Sequence, residues 1–162
     1  MSRAAVASTR AVSAVARAAA DAADEAIRRT GSRVTRARME VLAVLLAAER
    51  ALTHHEVERR INRRLGVDRV TVYRVLDWLT GQNLAHKIAG EDRVWRFNAA
   101  SDESERSHSH AHFTCNRCGE VICLGEVRAA RGIQLPSGYR SQDVQLTVRG
   151  LCAGCVPQAE RA

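Results

Sequence analysis

The chain has 162 residues, a net charge of +7 and a sequence pI near 9.9. That length suits one domain or two small ones, and no apolar run approaches the roughly 18 residues a membrane span needs. A polyanionic partner is the first expectation from the charge.

The charge is uneven. Residues 1–30 carry five arginines against three acids, residues 31–98 carry thirteen basic residues against eight acids, and residues 99–162 balance at seven of each. Nearly all the excess is arginine; Lys87 is the only lysine. Arginine forks onto phosphate and guanine in a way lysine does not. A coding bias toward Arg and Ala would explain that choice of cation, but not its concentration in the first two thirds.

The N-terminus has no signal-peptide apolar core. Its Ala- and Arg-rich stretch faintly resembles a transit peptide, but it reads better as a flexible tail over residues 1–15 leading into a helix at about 12–30 that stops at Gly31. Thr35 can cap a second helix, with Met39, Val41, Leu42, Leu45 and Leu46 at helical spacing. Thr53 and Glu56 form a capping box for a third, with Val57, Ile61 and Leu65 on one face. After the break at 66–68, Asp68 can cap a fourth helix, "RVTVYRVLDWLTGQ". There Val72, Val75, Leu76 and Leu79 make a core stripe, and Arg69, Tyr73, Arg74 and Asp77 lie off it.

Two helices joined by a short Gly-containing turn, the second with an exposed Arg/Tyr face, are the pattern of a helix-turn-helix. "LAHKIA" and "RVWRF" alternate as strands about a "GED" turn. A hairpin directly after a recognition helix makes a winged helix; an ordinary helical domain with a solvated basic face is the plainer alternative. The expectation is an α+β chain with a winged helix-turn-helix domain at 16–97, a polar hinge linker at 98–107 and a small zinc-binding α/β domain at 108–162. In that last unit, strands are expected at His110–Cys115, Glu120–Leu124 and Gln142–Val148, a short helix at about 125–131 and a turn at 135–139.

Four of the five cysteines form two C-x-x-C pairs, Cys115/Cys118 and Cys152/Cys155. Paired knuckles of this kind fit a closed tetrathiolate zinc site in an intracellular protein better than a secreted disulfide framework. A thioredoxin-like dithiol should open a helix after a strand, whereas the first pair here lies between expected strands and the second lies near the chain end. His108, His110 and His112 alternate, so on a strand they share a side and can converge on one ion, or can simply be solvated. Cys123, the unpaired thiol, reads either as a small buried hydrophobe or as a soft ligand at a second site. His86, on the expected wing, reads first as structural. No HExxH or other catalytic signature is present, so an enzyme and a small-molecule substrate are not expected.

"RVTRARMEVLAVL", "DRVTVYRVLDWLTGQNLAHKI", "HSHAHFTCNRCGEV" and "GLCAGC" resemble successive signatures of the ferric uptake regulator family, from Val34 to Val156. "LAHKI" and "GLCAGCV" are most similar to its zinc uptake regulators. The resemblance implies a cytoplasmic, homodimeric, metal-dependent repressor with a C-terminal dimerisation domain, binding a palindromic operator in double-stranded DNA. It implies DNA contacts by Tyr73 and Arg74, flanked by Arg69 and Thr71, and by Arg33 before the second helix. It implies structural zinc at Cys115, Cys118, Cys152 and Cys155. It further implies a regulatory zinc held by His86, His110, His112 and Cys123, with His108 in reserve.

Cys123 stands where the family commonly has Glu, and Asn98 stands where it often offers Cys or Glu at the end of the wing. One thiolate with imidazoles suits zinc, while iron sensors use more carboxylate. The alternatives are an iron- or peroxide-responsive regulator of the same family, or a DNA-binding protein with structural zinc only. The acid and His that usually supply a further metal site have no counterpart, so no third site is expected.

Overall fold

The computed structural model describes residues 3–90, 92–100, 110–126, 134–140, 144 and 146–157. Helix α1 (Arg3–Arg29) leads into α2 (Arg36–Leu46), strand β1 (Leu52–Thr53), α3 (His54–Leu65) and α4 (Arg69–Gly81). Then come β2 (Ala85–Ala89) and β3 (Trp95–Ala99), followed by β4 (His110–Cys115), β5 (Val121–Glu126) and β6 (Leu146–Gly150). No helix among the described residues is long and apolar enough to cross a membrane.

The local signals act as expected at the helix starts. The Thr35 hydroxyl accepts from the Arg38 N–H, both halves of the Thr53/Glu56 capping box are made, and Asp68 accepts from the Thr71 N–H. Each cap oxygen takes up an orphan donor that the helix cannot satisfy itself, and the capping box takes up two. Val72, Val75, Leu76 and Leu79 of α4 are buried together with Val41, Leu42 and Leu45 of α2 and Val57 and Ile61 of α3. Ala19, Ala23 and Ile27 join this core from α1 at four-residue spacing.

Helix α1 begins at Arg3, inside the stretch 1–15 expected as a tail. No glycine or proline interrupts it before Gly31, and its alanines are strong helix formers.

Strands β1, β3 and β2 form an antiparallel sheet in that order, pairing Leu52 with Phe97 and His86 with Asn98. β3 runs past the expected domain boundary at 97, because the buried alternation of Phe97 and Ala99 continues and the Ala100 N–H donates to the Leu84 carbonyl. Asn98 and Ala99 therefore lie in β3 and Ala100 is tied to Leu84 beside it, and the rest of the expected linker, 101–107, lies outside the described residues.

The second sheet is ordered β5-β4-β6, with β4/β5 antiparallel and β4/β6 parallel. Residues 125 and 126, expected to open a helix, extend β5 instead; 127–131 lie outside the described residues. β6 covers Leu146–Gly150 in place of the expected Gln142–Val148, of which 142, 143 and 145 are not described. The turn expected at 135–139 is closed by the Tyr139 N–H donating to the Pro136 carbonyl.

The two sheets meet at a small contact. The Ala51 N–H, just before β1, donates to the Val121 carbonyl at 2.9 Å, and Ala51, Ile88 and Val121 form their own buried cluster.

Candidate functional site

Two groups of metal-ligand side chains assemble. In the first, the sulfur atoms of Cys115, Cys118, Cys152 and Cys155 all lie within 4.8 Å of one another. β4 delivers Cys115, the tight turn after it delivers Cys118, and the turn after β6 brings Cys152 and Cys155 alongside, because β6 pairs with β4 as far as Cys115–Gly150. The Cys118 and Cys152 sulfurs are 3.6 Å apart. That separation is close to the edge, about 3.8 Å, of a tetrahedron with Zn–S bonds of about 2.3 Å.

The electrostatics suit a cation. N–H donation from Cys152, at 3.3 Å, and from Cys118 pulls the Cys115 thiol down to about 6. The Cys152 thiol is pushed up to about 12, first by its hydrogen bond with Glu120, then by burial and the neighbouring thiols. Cys155 is raised too, first by its hydrogen bond with Cys118. Packed thiols resist carrying several charges at once, and a coordinated dication removes that resistance.

The second group spans the two sheets. His86 on β2, His112 on β4 and Cys123 on β5 offer donor atoms that lie within 4.8 Å of one another. His112 and Cys123 sit opposite each other in the β4/β5 ladder, which places them on one face. The His86 and His112 rings approach to 5.3 Å between centroids, and both ring nitrogens of His86 and the Nε2 of His112 are shielded from solvent. Asn98 pairs with His86 across the β2/β3 ladder. His110 opens β4, and between it and His112 two steps along β4 match three along β5. That bulge re-aims the strand where the alternating histidines enter it. His108 lies outside the described residues.

In the winged helix, Arg33, Arg69 and Arg74 are exposed and Tyr73 is 55% exposed. Thr71 is different: half-buried, its hydroxyl donates to the N-capping Asp68 at 2.6 Å. Sequence reasoning missed the neighbours of Tyr73. A concavity of about 480 Å³ is lined by His54, Val70 and Tyr73 from the helices and by Lys87 and Trp95 from the wing. The Lys87 ammonium sits 4.2 Å above the Trp95 ring. The available signal was Lys87 itself, the lone lysine, next to His86 on a strand facing a Trp-bearing strand.

The fold and these sites define a winged-helix protein with one metal-ligand cluster at its domain junction and another beside it. The chain belongs to the ferric uptake regulator family, whose pattern matches residues 29–148. That family comprises metal-responsive transcription regulators rather than enzymes. The chain is 29% identical to the ferric uptake regulation protein of Shigella flexneri, over 79% of this chain and 86% of that one. It is 26% identical to the zinc uptake regulation protein of Escherichia coli (strain K12), over 76% and 73%. A solved zinc uptake regulator complexed with zinc and DNA shares the fold, with a TM-score of 0.66 at 22% identity, over 86% and 93% of the two chains.

Proposed function

We propose that this protein is a cytoplasmic, homodimeric, zinc-responsive repressor that binds a palindromic DNA operator controlling metal-uptake genes. The observation that carries the reading is the meeting of His86, from the wing, with His112 and Cys123, from the second sheet. Ligands on both sides of a junction make its closure depend on a shared ion. The winged-helix domain closes with β3 and the dimerisation domain opens with β4.

Cys115, Cys118, Cys152 and Cys155 would hold a structural zinc, and His86, His112 and Cys123 a regulatory one, with His110 or His108 completing the set. Two imidazoles and a thiolate, with no carboxylate in the described group, favour zinc over iron. Zinc bound there supplies a dication that joins these donors. His86 then fixes the wing against β4 and β5, so metal selects the closed arrangement by binding it better than the open one. In the closed dimer, two copies of α4 face successive major grooves. Tyr73, Arg69 and Arg74 contact bases and phosphates, and Arg33 reaches the backbone. Thr71 acts mainly by capping the helix.

An iron-responsive regulator is the second reading, favoured by the ferric uptake relative at 29% identity. Competition of zinc and ferrous iron for the Cys123→Ser and wild-type proteins separates the two. Zinc preference in the wild type that collapses in the variant supports zinc sensing. Preference for iron in both proteins supports the alternative.

A further inference from the structure

A second contact between the winged helix and the second sheet lies against the four-thiol cluster. A cavity of about 260 Å³ is lined by Asp92 and Arg96 of the wing and by Cys115, Cys118 and Gly119 of the first knuckle. The Arg96 side chain is only 10% exposed, and its Nη1 and Nη2 each donate to the Asp92 carboxylate at 2.9 Å. A Cβ at Gly90 would come within 2.0 Å of the Arg96 Nη1, and one at Gly119 within 3.3 Å of its Nη2. The guanidinium is thus enclosed by the wing turn on one side and the knuckle on the other. Gly119 also has φ +70, the left-handed region that glycine enters most readily.

A second arginine lies on the same seam, directly before Ala51, whose N–H donates to the Val121 carbonyl across it. Arg50 donates to the Ala51 carbonyl at 3.2 Å and pairs with Glu56. Its pKa is raised first by the Glu56 hydrogen bond, with smaller contributions from Glu120 and Cys118 across the junction. Four thiolates around a zinc dication leave a net negative centre. Two guanidiniums from one domain therefore border a group in the other that is anionic when it holds zinc.

We propose that Arg96 and Arg50 are positioning residues that dock the winged helix onto the metal-loaded cysteine knuckle, so that the four-cysteine site helps set the angle of the recognition helix. A purely local role for Arg96, bracing the wing turn through Asp92, would leave the domain junction unchanged. The consequence for DNA binding rests on the regulator reading; the docking does not.

The test is amide hydrogen exchange on the full-length, zinc-loaded protein. The Ala51 N–H reports the junction, because it donates to Val121 across it. The Val72 and Ala100 amides report the winged helix itself, because they donate to Asp68 and Leu84. In Arg96→Ala, Ala51 should exchange faster by about tenfold or more, as expected for losing a charged hydrogen-bonding group. Val72 and Ala100 should stay protected, and cobalt substituted at the four-thiol site should keep its thiolate charge-transfer band. Arg96→Lys should recover part of the protection. If Arg96→Ala melts the wing, exposing Ala100 as well, Arg50→Gln carries the same test. Wild-type exchange at Ala51 in the variant that keeps its wing overturns the docking. Faster exchange at Ala51 in a protein that never binds DNA would sustain the docking and count against the regulator reading.

Discussion

In the proposed regulator, Cys123 is the ligand that would decide which metal the junction prefers. Its thiolate is soft, and its neighbours His86 and His112 offer imidazole. A carboxylate there would favour a harder ion. Changes to outer-shell partners cost about 10–100-fold in metal affinity, so losing the ligand itself in Cys123→Ser should cost about a hundredfold or more. The four-cysteine site should keep its metal in the same variant, which metal analysis after graded chelation measures. Glu56 is a second single-residue case. Burial pulls its carboxyl up, but hydrogen bonds from Arg50 and Thr53 outweigh it and hold the group at about 2. Its folded pKa is depressed, so its contribution is present above the ordinary carboxylate range and is lost as pH falls toward about 2. Glu56→Gln should therefore cost about 1–2 kcal/mol at neutral pH, and the gap to wild type should shrink between pH 4.5 and 2, read by thermal unfolding at matched pH. Both roles had sequence signals: a capping box is a four-residue pattern, and an unpaired Cys beside a C-x-x-C is visible. The burial of Arg96 was not legible, because it depends on a knuckle brought in by later strands.

At the scale of elements, α4 has one buried face and one exposed face, and the proposed function gives recognition to the exposed one. Leu76 is fully buried and Tyr73 is 55% exposed, three residues away. Leu76→Ala should destabilise the protein by about 2–5 kcal/mol. Tyr73→Ala should leave the unfolding midpoint nearly unchanged and weaken specific DNA binding by about 1–3 kcal/mol, measured by titration of a labelled duplex. This helix was readable because its stripe and cap are local. Strand β1 was not: Leu52–Thr53 is a strand only because β3 pairs with it, and it abuts a helix cap that dominates the local pattern. β5 was misread past Leu124 for a related reason. Glu126 pairs with His110 across a bulge that no local spacing announces.

At the scale of the whole molecule, the second sheet keeps apolar side chains exposed. Leu146 and Val148 on the edge strand β6 are 38% and 44% exposed, and Leu124 on β5 is 43% exposed. An exposed edge strand invites pairing with another chain, and the dimer proposed above would bury this face. Val148→Asp should shift the protein toward monomer in sedimentation and weaken operator binding, while metal at the four-cysteine site persists. The division into winged helix and metal-bearing sheet was legible from the helix-turn-helix pattern and the paired knuckles. The junction was not, because it rests on contacts such as Ala51 with Val121, seventy positions apart in the chain.

The most direct measurement is metal per chain before and after mild chelation, with binding to a palindromic duplex, selected from a random pool, followed in parallel. Zinc sensing predicts loss of one zinc per chain together with loss of DNA binding, and restoration of both by zinc but not by ferrous iron. DNA binding that survives removal of that zinc, or that only ferrous iron restores, would contradict it.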